Sequence, residues 1–284
     1  MRWTERQRAM LQAIGVRLFE REAQPAAARP PVRTEPVEVQ ASTSSARTVP
    51  VALEETPGRS QVSLTPSGGL TRSGRPGGVQ QTVERVAVVP RPDTSTLDWD
   101  ALRSAVADCQ ACALAQSRQR TVFGVGHRHA HWMIVGEAPG EQEDRQGEPF
   151  VGTAGQLLDN MLHALGLTRD EAPPERQVFI VNTLKCRPPK NRNPDAAETA
   201  QCAPFLERQI ALVQPRIILA MGRFAAQALL ASDEPLGRLR GRIHQYHGVP
   251  VVVTYHPAYL LRSLADKARA WEDLCLAATV VPGG

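Results

Sequence analysis

Residues His131–Gly140 read HWMIVGEAPG. A mostly apolar run without alternation enters a turn of Gly, Glu and Pro. Such a run, lacking a polar face, fits a strand buried on both sides. Three further runs share the pattern: Val178–Val181 (VFIV), Ile217–Ala220 (IILA) and Val251–Thr254 (VVVT). Helical patterns lie between them, as in Gly155–Leu165 and Ala196–Leu212. Strands alternating with helices predict a parallel sheet covered on both faces. The expected fold is α/β: a three-layer α/β/α domain with a central four-stranded, mainly parallel sheet, over residues 96–284.

Polar text follows each strand at once. The four segments are Gly136-Glu137-Ala138-Pro139-Gly140, Asn182-Thr183-Leu184-Lys185-Cys186, Met221-Gly222-Arg223 and Tyr255-His256-Pro257. Open parallel sheets bind ligands beyond the carboxyl ends of their strands. The four segments are therefore expected to meet in one cleft.

The chain ahead of this domain differs. Residues 24–95 hold ten of the 23 Pro, many Ser, Thr, Gly and Arg, and no aromatic residue. A segment of this kind buries too little apolar surface to offset chain entropy, which predicts a disordered linker. Before it, residues 1–23 carry Trp3, Met10, Leu11, Ile14, Leu18 and Phe19 at helical spacing. They read as an amphipathic helix that packs on the core or docks on a protein partner. Residues 1–95 carry 13 Arg against nine acidic residues, which accounts for the whole formal charge of +4. A basic chain fits a nucleic-acid partner, but basic contacts on the core must come from local clusters. No run of about 18 apolar residues predicts a membrane span. The charged N-terminus does not read as a signal peptide. A cytoplasmic, monomeric protein is the default expectation.

Five Cys, an odd number, argue against a secreted disulfide framework. Cys109 and Cys112 form a C-x2-C pair in the polar stretch DCQACALAQSR, and Cys186 sits in the basic loop KCRPPKNRNP, with Cys202 beyond it. Four thiolates suit tetrahedral zinc or a [4Fe–4S] cluster, and spacing leaves both open. Cys275, in WEDLCLAA, reads as a core thiol.

Taken together, these motifs resemble the family 4 uracil-DNA glycosylases, which carry a [4Fe–4S] cluster. The matching text is Cys109–Cys112, IVGEAPGEQED at 134–144, GEPFVGTAGQLLD at 147–159, VNTLKCRPPKNRNP at 181–194, Cys202, and YHPAYLLR at 255–262. It covers about 60% of the chain, from Cys109 to the C-terminus, and the joint order and spacing of the pieces is specific. The resemblance implies a base-excision repair enzyme that hydrolyses the N-glycosidic bond of uracil in DNA. It also implies a structural [4Fe–4S] cluster on Cys109, Cys112, Cys186 and Cys202.

Excision requires a nucleotide flipped out of the stack and read on its Watson–Crick edge. Phe150 is the expected stacking platform. Asn182 is the expected edge reader, because one amide offers a donor and an acceptor to uracil O4 and N3–H. His256 is the expected stabiliser of the departing uracil anion at O2. Glu137 is the expected catalytic carboxylate that activates or positions water. Glu143 is an alternative there, or a wall against the C5 edge, while Glu141 and Asp144 fit a solvated surface. Ala138 belongs to the base-contacting turn, at a position where some family members carry Gly.

For the DNA backbone, Lys185, Arg187, Lys190 and Arg192 cluster in one loop, and Arg238, Arg240 and Arg242 in another. Leu260 or Leu261 is the expected wedge into the gap left by the flipped base, with Arg262 on a flanking phosphate. The competing reading is a non-catalytic Fe–S DNA-binding or polymerase-accessory module. That module would keep the Cys set and need neither Asn182 nor His256. A relative that couples covalently to DNA finds no support in RNPDAAETA at 192–200.

Overall fold

A computed structural model describes residues 93–281. The helix expected over 1–23 and most of the linker expected over 24–95 lie outside the described residues. The last linker residues do not. Thr94 is buried, and its hydroxyl donates to the Pro204 carbonyl at 3.2 Å, so packing begins a few residues earlier than composition suggested.

The elements run α1 (Trp99–Ala107), α2 (Leu114–Ser117), β1 (Val125–Gly126), β2 (Trp132–Gly136), α3 (Glu141–Gln146), α4 (Thr153–Ala164), β3 (Phe179–Asn182), α5 (Ala196–Val213), β4 (Ile217–Met221), α6 (Arg223–Leu230), α7 (Leu236–Leu239), β5 (Ile243–Tyr246), β6 (Val249–Thr254), α8 (Pro257–Leu260) and α9 (Lys267–Val280). One-turn 3₁₀ segments lie at Pro189–Asn191 and Leu264–Asp266.

The four apolar runs form the centre of the sheet. β3, β2, β4 and β6 are parallel neighbours in that order, with Ile134 opposite both Ile180 and Leu219, and Leu219 opposite Val252. The sheet nevertheless has six strands, not four. β1 pairs antiparallel with β3 at one edge, and β5 antiparallel with β6 at the other. Both edges escaped the sequence reading for a physical reason. β1 is only two residues long. In β5 (IHQY) exposed and half-buried positions alternate, and Ile243 is left 49% exposed. Edge strands of this kind are short or polar, which discourages pairing with other chains.

The period of two in the strands supplies both cores. Met133, Val135, Phe179, Val181, Ile218, Ala220, Val251 and Val253 pack on one side with α1, α5 and α6, through residues such as Leu102, Phe205 and Ala225. Trp132, Ile134, Ile180, Ile217, Leu219 and Val252 pack on the other side with α4 and α9, through Leu158, Met161, Trp271 and Leu274. Two buried faces explain why no polar alternation marks these strands. α5 starts with a reciprocal cap: the Asp195 side chain accepts from the helix backbone, and Glu198 accepts from the Asp195 N–H at 3.0 Å.

Candidate active site

From β2 the chain steps to β3 on one side, then returns to β4 and β6 on the other. The crevice therefore opens at the carboxyl ends of β2 and β4, where connections diverge. The turns after β2 and β3 are tied together. The Gly136 carbonyl accepts from the Thr183 N–H at 3.0 Å, and the Glu137 carbonyl from the Leu184 N–H at 3.1 Å and the Thr183 hydroxyl at 2.5 Å.

Asn182 ends β3 at only 2% exposure, and its Oδ1 is buried without a hydrogen-bond partner. An unpaired buried polar atom costs about 1–3 kcal/mol, so Oδ1 stands ready to accept from a donor that enters the cleft. Phe150 adjoins it. A side chain at Gly136 would overlap Asn182 Oδ1 and come within 2.7 Å of the Phe150 ring, so only glycine lets the three residues meet. Ala138, half-buried, packs against the first core layer from the same turn.

Phe150 is 5% exposed and holds a left-handed backbone, φ 55°. That conformation costs about 1–3 kcal/mol outside glycine and persists only where its surroundings enforce it. Here Glu143 enforces it, accepting from the N–H groups of Val151 at 3.0 Å and Gly152 at 3.3 Å. The structure thus gives Glu143 a loop-anchoring task that the sequence reading missed. Asp144, expected on a solvated surface, is instead 1% exposed and accepts from the Gln119 N–H at 2.9 Å.

His256 caps α8. Its Nδ1 accepts from the Ala258 N–H at 3.2 Å, so in the neutral ring the proton sits on Nε2. Burial pushes its pKa down to about 4, and the ring is neutral at pH 7. The ring stacks on Phe150 with centroids 5.3 Å apart at 26°. Gly222 permits this approach, since a Cβ there would meet the His256 Cβ at 3.1 Å. Glu137 lies at the end of β2, and burial pushes its carboxyl up to about 6, opposed by Arg223 at the start of α6. Arg223 stood in the sequence as an unassigned turn residue. Only the pairing of β2 with β4 reveals its influence on Glu137.

Two expected DNA contacts are corrected by burial. Lys185 is 1% exposed, and its Nζ donates to the Asn182 carbonyl at 2.6 Å, so it does not reach a phosphate. Leu260 is 1% exposed and packs into the second core layer, which leaves Leu261, 42% exposed, as the wedge candidate. Lys190 and Arg262 are exposed. Arg187 pairs with Glu141 at 3.5 Å and Asn191 Oδ1 at 2.7 Å, and Arg192 clasps Glu198 through both terminal nitrogens. In the other basic loop Arg238 and Arg242 are exposed, whereas Arg240 pairs with the buried Asp273 at 2.6 Å.

The four thiols expected to act together do converge. Cys109, Cys112, Cys186 and Cys202 line one cavity with Arg118, Lys185 and Phe205. Arg118 Nη1 lies 3.2 Å from Cys186 Sγ and 2.8 Å from the Cys109 carbonyl oxygen. No three His, Cys, Asp or Glu among the described residues are grouped so as to hold a metal ion. Cys275 packs apart from the four thiols, on the opposite layer. Among the described residues, no helix is long and apolar enough to cross a membrane.

This geometry agrees with what the chain is similar to. A family model for the uracil DNA glycosylase superfamily matches residues 123–275. A type-4 uracil-DNA glycosylase of Pyrobaculum aerophilum is 41% identical over 188 residues, 63% of this chain and 93% of that protein. A type-4 enzyme of Thermotoga maritima is 39% identical, over 58% of this chain and 83% of its own. A type-5 uracil-DNA glycosylase of P. aerophilum is 36% identical over 48% of this chain and 64% of its own. The chain belongs to the uracil-DNA glycosylase superfamily, on its type-4 branch.

Proposed function

We propose that this chain excises uracil from DNA, hydrolysing the N-glycosidic bond and leaving an abasic site in base-excision repair. The observation that carries this reading is the unpartnered, buried Asn182 Oδ1 beside Phe150, on whose ring the neutral His256 stacks. A flipped uracil stacks on Phe150. Its N3–H donates to Asn182 Oδ1, while the Asn182 amide N–H donates to O4. Cytosine has no N3–H and presents a donor at C4, so it leaves the same amide mismatched. Sites built on such hydrogen bonds reject the wrong partner strongly.

As the bond to the sugar breaks, negative charge gathers on uracil O2. The Nε2–H of His256, whose orientation is set by its Nδ1 bond, is the donor for that charge. A neutral ring stabilises it without giving up a proton. Glu137, whose carboxyl ionises near pH 6, activates water or steadies the cationic sugar once charged. Glu143 keeps the Phe150 platform in its strained position and borders the same pocket.

On the DNA side, Lys190, Arg187, Arg192 and Arg262 are the basic candidates and Leu261 the wedge. A non-catalytic module would not need a strained Phe150, a neutral His256 or an unpaired Asn182 in one cleft.

We infer that the thiol cavity holds a [4Fe–4S] cluster. In support, the donor set is four thiols, and cations line the same cavity. Four thiols suit zinc or a [4Fe–4S] cluster alike, and the resemblance to the family 4 enzymes favours the cluster. Bound there, the cluster would cross-link the α1–α2 segment, the loop after β3, and α5, and would keep its thiolates ionised.

The test is incubation of the full chain with a uracil-containing oligonucleotide, followed by alkali. Strand breaks that require uracil are expected. Their absence, from protein with four irons per chain, removes the enzyme reading.

A further inference from the structure

The loop after β3 puts Asn182 and Cys186 four positions apart, with Lys185 between the two sites. Lys185 is among the largest fully buried side chains of the protein. Among the described ion pairs no Asp or Glu meets it. Its Nζ donates to the backbone carbonyl of Asn182 at 2.6 Å. Cys186 and Cys202 line the same cavity that Lys185 helps to wall. A buried ammonium without a counter-charge costs several kcal/mol, and the thiolates of a bound cluster would supply that counter-charge. One ammonium thereby faces the thiols on one side and holds the end of β3 on the other.

We propose that Lys185 is a positioning residue that couples the thiolate cluster to uracil recognition, by balancing the cluster's charge and fixing the Asn182 backbone. The proposal rests on the cluster reading above. The Asn182 amide must face uracil within a pocket where a methyl at Gly136 would already collide with it, so a small shift of its backbone misplaces both hydrogen bonds. Charged thiolates keep the ammonium in place, and the ammonium keeps Asn182 in place. On this view the cluster serves recognition electrostatically, without contact with the base or a change of oxidation state.

The test compares Lys185→Met and Lys185→Arg in the full chain, with three readouts: iron and sulfide content, the cluster's midpoint potential, and calorimetric binding of free uracil. Lys185→Met removes the charge, so its potential should move to more negative values. Lys185→Arg keeps the charge and should hold the wild-type potential. Met has no donor for the Asn182 carbonyl, and the bulkier planar guanidinium does not fit the fully buried place of the Lys185 Nζ without shifting that carbonyl, so both should bind uracil roughly tenfold more weakly, the scale of losing one charge-assisted hydrogen bond.

An iron-replete Lys185→Met protein with wild-type potential overturns the proposal, and so does wild-type uracil affinity in either variant. If Lys185→Met fails to hold iron, Lys185→Arg still decides through its uracil affinity. The cluster reading fails separately, if wild-type protein carries zinc or no metal.

Discussion

Glu137 should set the acid limb of the reaction. Its carboxyl is raised from the usual 4.5 to about 6, chiefly by burial at the end of β2, with Arg223 pulling the other way. If the ionised form serves the chemistry, kcat/KM follows its population. Roughly nine tenths is ionised at pH 7 and roughly one tenth at pH 5, so excision should fall about tenfold per pH unit below 6. His256 stays mostly neutral in this range, since burial holds its pKa down at about 4. Arg223→Ala removes the opposing cation and should move the limb to higher pH. Glu137→Gln should lower the plateau and abolish the limb.

Stability offers an independent reading of the same group. A folded-state pKa above the unfolded value means that ionising Glu137 disfavours the fold as pH rises through about 6. Glu137→Gln should therefore stabilise the protein at pH 8 by no more than about 2 kcal/mol, and not at all below about pH 4.5. Partial exposure makes this an upper bound. The assay is single-turnover excision from a uracil oligonucleotide across pH 4.5–8, paired with thermal unfolding at both extremes. A wild-type profile flat through pH 6, or an unchanged limb in Glu137→Gln, refutes the reasoning.

Three other perturbations address the rest of the site. His256→Ala should cost about 10²–10³-fold in excision, the usual loss for one preorganised donor to a developing anion. The iron content should be unchanged, because His256 lies at the end of β6, away from the thiol cavity. Gly136→Ala should fold, since the clash falls on side chains in the pocket, but it should lose about 1–3 kcal/mol of uracil affinity to overpacking. Titration with free uracil checks this, and wild-type affinity would contradict the close approach. Cys109→Ser should lose iron on purification, measured by metal analysis, and full retention would strike it from the ligand set.

The legible part of this protein was what depends on periodicity. Runs such as HWMIV and VVVT are apolar throughout because both faces of the central strands are covered, and that needs no tertiary knowledge to recognise. The placement of Asn182, Glu137 and His256 at strand ends followed from the same runs. β1 and β5 were not legible, because an edge strand is defined by its partner rather than by its own burial.

The sequence by itself determined the parallel α/β centre, the ends of the strands that bear chemistry, and the four Cys. Its order of motifs determined the family. Tertiary structure decided which charged residues face solvent. Lys185 sits in a loop as basic as that of Lys190, yet one ammonium is buried against the Asn182 carbonyl and the other is exposed. Composition carries no sign of that difference. The burial of a charged side chain depends on how its loop folds back, and here Lys185 turns onto the Asn182 carbonyl three residues earlier, in a cavity that Cys202 of α5 helps to close.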